Sequence, residues 1–208
     1  MEGILECARR LKDSGIREKV DSRLREFRNL GKRTNEEIFS ELCFCILTAN
    51  FQAERGMRIQ EEIGNGFSTL SGRELTGRLR ELGHRYPNVR AKFIAEARKH
   101  HGSLKETIES FGSGEKAREW LVENVKGLGY KEASHFLRNI GFGNLAIIDF
   151  HIIDMLEKHG MIERPKTLTK KKYLEIEGVL KKIAEKLGMS LAELDLYLWY
   201  EETGKVLK

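Results

Sequence analysis

The chain has 208 residues and a mass of 24.0 kDa, enough for one sizeable domain or two small lobes sharing a core. With 40% apolar and 33% charged residues and a mean hydropathy of −0.47, the composition excludes a membrane-spanning chain and a disordered one. Thirty-seven basic against 32 acidic side chains leave +5, a mild excess that suits a polyanionic partner. Three cysteines cannot all pair, and the start MEGILECARR has no apolar leader, so a reducing cytoplasm and a monomer are expected. Cys43 and Cys45 lack zinc or iron–sulfur spacing and read as buried, inert thiols.

In chain order, Thr34 to Glu37 forms a Ser/Thr-x-x-Glu capping box that opens a helix with Ile38, Leu42, Cys45 and Ile46 on one face. Asn50 and Gln52 follow it in LTANFQ, where Asn50 also reads as a helix C-cap. Ser71 to Glu74 and Ser103 to Glu106 are further boxes, with the segment GHRYP (His84, Tyr86) between them. The stretch VENVKGLGYKEASHFLRNIG, residues 122–141, predicts a helix, a tight turn at Lys126-Gly127-Leu128-Gly129, and a second helix striped by Ala133, Phe136, Leu137 and Ile140. Leu145 to Ile148 is a short apolar run ending at Asp149, and reads as a buried approach to a helix N-cap. Ile176, Val179, Leu180 and Ile183 mark another helix, and Ser190 to Glu193 caps the one carrying LDLYLWY.

No alternating strand appears, so the expected fold is all-α, with nine to eleven helices. Glycine-rich breaks at 112–114 and 141–143 suggest two helical subdomains flanking a cleft. Residues 35–141 would form a central lobe that includes the hairpin at 121–141. Residues 1–34 and 142–208 would form the second lobe from the two ends.

The two hairpin glycines permit positive φ and present backbone amides at a helix N-terminus, an arrangement that binds phosphate. An ordinary helical hairpin remains the alternative on pattern alone. Arg85, Arg90, Lys92, Lys126 and Arg138 suit phosphate contacts, though each alone also reads as a solvated charge.

This hairpin stretch resembles the helix-hairpin-helix motif of a large superfamily of DNA-repair glycosylases. ELCFCILTANF at 41–51, LGHRYPNVRAKFI at 82–94, VKGLGYKEASHFLRNIG at 125–141, LDLYLWY at 194–200 and the terminal GKVLK narrow it. They resemble the second type of archaeal and thermophilic 8-oxoguanine DNA glycosylase/AP lyase, over nearly the whole chain. The resemblance implies a helical core with no added β domain and no iron–sulfur cluster. It also implies double-stranded DNA containing 8-oxoguanine as partner, no required cofactor, and a monovalent cation on the Lys126–Gly129 carbonyls. It assigns Lys131 as the nucleophile and Asp149, eighteen residues later, as its assistant. Gly127, Gly129, Lys126, Arg85 and Arg138 would grip the DNA backbone, and Asn50 would fill the hole left by the flipped base. Trp199, Asp195, Lys208 and Tyr86 would recognise the base. Phe150 departs from the pattern, where a basic residue is expected.

The chemistry sets its own requirements. A lysine that attacks a sugar carbon must be neutral, although its ordinary pKa is about 10.4. Partial burial and positive neighbours such as Lys126, His135 or Arg138 are the candidate pressures. Asp149 could cap a helix and also stabilise an oxocarbenium-like sugar. Two other readings stay open at this point: an oxidised-pyrimidine glycosylase/AP lyase with the same lysine and aspartate, and a noncatalytic helix-hairpin-helix DNA-binding module.

Overall fold

The computed structural model describes residues 2–208. Among them are thirteen α-helices, one 3₁₀ segment at Arg98–Ser103, and no strand. In order these are α1 (Glu2–Lys12), α2 (Ile16–Leu30), α3 (Asn35–Thr48), α4 (Ala53–Ile63), α5 (Gly66–Thr69), α6 (Gly72–Glu81) and α7 (Pro87–Ala97). After the 3₁₀ segment come α8 (Leu104–Ser110), α9 (Gly114–Asn124), α10 (Tyr130–Asn139), α11 (Phe150–Lys158), α12 (Lys170–Leu187) and α13 (Leu191–Thr203). The number exceeds the nine to eleven expected because a segment as short as α5, with 4 residues, shows no period.

Local chemistry starts several of these helices. Thr34 and Ser71 form complete capping boxes with Glu37 and Glu74, while Ser190 accepts from the Glu193 amide. Each such cap is worth about 1 kcal/mol. Ser103 makes no cap bond. The start of α8 is instead held from a distance, by Asn35, whose Oδ1 accepts from the Lys105 amide at 2.8 Å.

The side chains gather into two cores. One runs from Ile38 to Leu145 and is built around α3. That helix was expected to show one apolar face, yet nearly every residue from Ile38 to Thr48 is buried, because α4, α7, α8 and α10 surround it. Each Leu, Ile or Phe so enclosed contributes about 1.5–3 kcal/mol. The second core joins α1 and α2 to residues 146–156, α12 and α13. The chain passes from one to the other between Leu145, in the first, and Ala146, in the second. Lys131 and Asp149 stand on either side of this crossing. Cys43 and Cys45 are buried, and burial pushes both thiols up.

Candidate active site

The hairpin consists of α9, the turn at 125–129, and α10. Gly127 has φ +89°, and a Cβ there would lie 2.4 Å from Phe93 Cδ2 on α7, so the turn needs glycine for both backbone and space. Gly129 differs from expectation. Its φ of −92° and ψ of −173° are extended, and it is the N-cap of α10. Its amide donates to Glu132 Oε2 at 3.2 Å, so that N–H is engaged within the chain. The Gly129 carbonyl accepts from the Ala133 amide at 2.9 Å. The carbonyls of Lys126, Gly127 and Leu128 accept no protein hydrogen bond among the described residues. Lys126 is largely exposed and pairs with Glu96 at 3.0 Å.

Lys131 is the second residue of α10, with its side chain 25% exposed and its Nζ 3.8 Å from Glu132 Oε1. Together with Gly129, Tyr130, Leu168, Lys170 and Tyr173 it lines an open pocket of about 320 Å³. Asp149 is the N-cap of α11, where its Oδ1 accepts from the Ile152 amide at 3.0 Å. A carboxylate so placed gains from the helix dipole. Both charges are felt at Asp195 on α13. Burial raises the Asp195 pKa, Arg138 opposes that rise, Asp149 adds to it and Lys131 opposes it. The carboxyl of Asp195 therefore lies among the two candidate catalytic groups.

Two expectations need correction here. Arg138 is 5% exposed and forms an ion pair with Asp195, while its Nε and Nη2 donate to Asn139 Oδ1 at 3.0 and 2.9 Å. A guanidinium so enclosed does not face phosphate, and it engages one of the two Asp195 carboxylate oxygens, Oδ2. His135 was a candidate positive neighbour for Lys131. It is 7% exposed, and burial, aided by Arg138, Lys131 and Lys208, pushes its pKa well below the usual histidine value. It is therefore neutral at pH 7.

Trp199, on α13, is half-buried, and its Nε1 has no partner. Its ring meets His151 edge-on at 5.3 Å, and His151 stacks on Phe150 at 4.0 Å. Phe150, next to Asp149, is 60% exposed. Lys208 is not a frayed end. Its Nζ donates to Glu41 Oε2 at 2.7 Å and Gln60 Oε1 at 2.6 Å, and lies 4.4 Å from the Phe44 ring centre.

Asn50 and the Arg85–Tyr86 segment lie on neighbouring loops joined through His84. Asn50 adopts φ +57°, unique among the described non-glycine residues. The Arg90 guanidinium holds the preceding carbonyl, Ala49 O, at 2.5 Å. His84 joins this loop to the next, with Nε2 3.0 Å from Leu47 O, its ring against Phe51, and its Nδ1 accepting from the Tyr86 amide at 3.0 Å. The Arg85 guanidinium covers the exposed Tyr86 ring at 5.1 Å. Arg90 is thus interior, unlike Arg85.

Sequence reasoning missed a buried polar cluster, Arg118, Ser134, Tyr173 and Glu177. It also missed Glu41, which sits inside α3 and accepts from Asn139 Nδ2 at 2.6 Å. The available signal was a charged residue within an apolar stripe: Glu41 in ELCFCIL, and Glu177 beside Ile176 and Leu180.

Known proteins resemble the chain along its whole length. A family model described as 8-oxoguanine DNA glycosylase matches residues 20–189. The 8-oxoguanine DNA glycosylase/AP lyase of Korarchaeum cryptofilum is 58% identical over 200 residues, covering 96% of this chain and 95% of that protein. The crystal structure of the Methanocaldococcus jannaschii 8-oxoguanine DNA glycosylase, 52% identical, superposes with a TM-score of 0.96 over 100% of this chain and 97% of its own. A structure of the same enzyme in complex with a 15-mer DNA containing 8-oxoguanine also gives 0.96, at 52% identity, covering 98% of this chain and 99% of that one. A hairpin opening onto Lys131, an aspartate-capped helix beyond the crossing, and this near-complete match together place the chain in the 8-oxoguanine DNA glycosylase family.

Proposed function

We propose that this protein is an 8-oxoguanine DNA glycosylase/AP lyase that works through Lys131 and Asp149. It removes 8-oxoguanine from double-stranded DNA and then cleaves the strand, one step in base-excision repair. The observation that carries the assignment of residues is the placement of Lys131 at the start of α10 and of Asp149 at the N-cap of α11, with the charges of both bearing on Asp195 of α13. Each group occupies a helix start fixed by hydrogen bonds, so neither depends on a mobile loop.

The base must leave the stack before its sugar is within reach. Trp199 offers the ring face against which it would lie, and Tyr86 with Arg85 an opposing wall. With the Lys208 ammonium engaged by Glu41 and Gln60, the Lys208 backbone beside His135 is the part available for recognition. The neutral Lys131 amine attacks C1′, and the C1′–N9 bond breaks as the base departs with a proton. The Asp149 carboxylate stabilises positive charge developing on the sugar. The ring then opens to an imine between C1′ and Nζ. Loss of a C2′ proton expels the 3′ phosphate by β-elimination, and water releases Lys131 from the product.

Gly127, Gly129 and Lys126 place the hairpin turn against the backbone, and Asn50 occupies the gap left in the stack. The backbone carbonyls of Lys126 to Gly129 would hold a hard monovalent cation, which would supply positive charge at the turn. The place of action is the prokaryotic cytoplasm, where the chromosome lies. Among the described residues no helix is long and apolar enough to cross a membrane.

The test is borohydride trapping on a duplex containing 8-oxoguanine. The wild-type protein should form a covalent adduct that Lys131→Gln abolishes. An undiminished adduct in Lys131→Gln would overturn the assignment of the nucleophile. Trapping on thymine glycol but not on 8-oxoguanine would overturn the substrate.

A further inference from the structure

Residues 145–148 present a problem of hydrogen-bond supply. They are buried between the two cores and belong to no helix or sheet, so their backbone groups need partners from elsewhere. Two side chains on α12, one turn apart, provide them. Glu177 Oε2 accepts from the Ala146 amide at 2.9 Å. Tyr173 Oη donates to Ala146 O at 2.7 Å and accepts from the Ile148 amide at 3.3 Å. The next residue is Asp149.

The same two side chains reach α10. Tyr173 Oη lies 3.3 Å from Ser134 Oγ. With the phenol proton committed to Ala146 O, the serine hydroxyl is the donor of this pair. Ser134 Oγ in turn accepts from Arg118 Nη1 at 3.1 Å, and Arg118 forks onto both Glu177 oxygens at 2.6 and 2.8 Å. Arg118, Ser134, Tyr173 and Glu177 are all buried. Ser134 stands one turn after Lys131 on α10. One phenol oxygen therefore touches both the segment that delivers Asp149 and the helix that begins with Lys131.

We propose that Tyr173 is a positioning residue that sets the spacing between Lys131 and Asp149 through its bonds to Ser134, Ala146 and Ile148. The inference rests on the catalytic assignment of those two residues given above. A buried Arg–Glu fork adds little net stability over an apolar filling of the same volume, whereas its directional bonds define where the attached backbone sits. Burial pushes the Tyr173 pKa up, so the phenol stays protonated and its donor remains available at working pH. Misplacement of reacting groups by about 1 Å from a distant change costs up to about a hundredfold in rate.

The experiment compares Tyr173→Phe, which removes one oxygen and keeps the ring, with Ser134→Ala and with the double variant. Single-turnover excision is measured on an 8-oxoguanine duplex well below each variant's Tm, and affinity for the same duplex is measured in a Lys131→Gln background. Tyr173→Phe should slow excision about ten- to a hundredfold while Kd changes less than about twofold. The double variant should be little slower than Tyr173→Phe alone, because both substitutions break one link. Equal losses in rate and affinity, or rate effects of the two substitutions that simply multiply, would overturn the proposal. Failure of the catalytic assignment itself would be seen separately, as an adduct that survives Lys131→Gln.

Discussion

Lys208 Nζ donates to Glu41 Oε2 at 2.7 Å while lying 4.4 Å from the Phe44 ring centre, which makes the last side chain an interior group of the first core. The Glu41 side chain is 2% exposed, so removing its cation leaves a buried charge poorly compensated. Lys208→Ala should lower stability by roughly 3 kcal/mol, measured by urea unfolding. Adding Glu41→Gln should restore part of that loss. A Lys208→Ala protein as stable as wild type would show that the pair adds nothing.

Stability should also fall on mild acidification. Burial holds His135 well below the ordinary histidine pKa and lowers that of His84. The unfolded chain takes up these protons near pH 6.5, and the folded chain resists them. The stabilisation is therefore complete above about 6.5 and is lost as pH falls, at up to about 1.4 kcal/mol per pH unit for each group. Urea unfolding at pH 7.5 and 5.5 measures the loss, and His135→Gln should reduce the difference between the two.

The two hairpin glycines should respond unequally. Gly127→Ala forces a Cβ to 2.4 Å from Phe93 Cδ2 at φ +89°, so it should cost at least about 1–2 kcal/mol and weaken DNA binding. Gly129→Ala meets only Glu132 Oε2 at 3.3 Å, in an extended backbone. It should stay within about 0.5 kcal/mol of wild type. Thermal unfolding and a binding titration on duplex DNA distinguish them.

Lys126, exposed at the turn, should act as a backbone contact without reading sequence. Lys126→Ala should weaken binding to damaged and undamaged duplex alike and reduce the slope of log K against log salt by about 0.9. An unchanged slope would remove Lys126 from the interface.

Much of the architecture was legible because its signals are local. Thr34, Ser71 and Ser190 bond amides three residues ahead, as does Asp149, and such a pattern is visible in any short window. Ser103 has the same pattern and fails, because Asn35, 70 residues before Lys105, takes the helix start. The site divides in the same way. The helix-start positions of Lys131, just beyond the glycine turn, and of Asp149, at the end of an apolar run, could be read from their neighbours, while their roles came from the family resemblance. Arg138 looked like a surface cation, since nothing near it in sequence reveals Asp195, 57 positions on. The Tyr173–Ser134 link, spanning 39 positions, was equally hidden.

The Arg138–Asp195 pair carries a mechanical consequence. It ties α10, in the first core, to α13, in the second, and drawing the two apart would break an ion pair that is almost out of reach of water. The pair is in effect a rivet between the two cores, and Arg138→Ala should loosen their junction more than the loss of an exposed ion pair such as Arg78–Glu81 would.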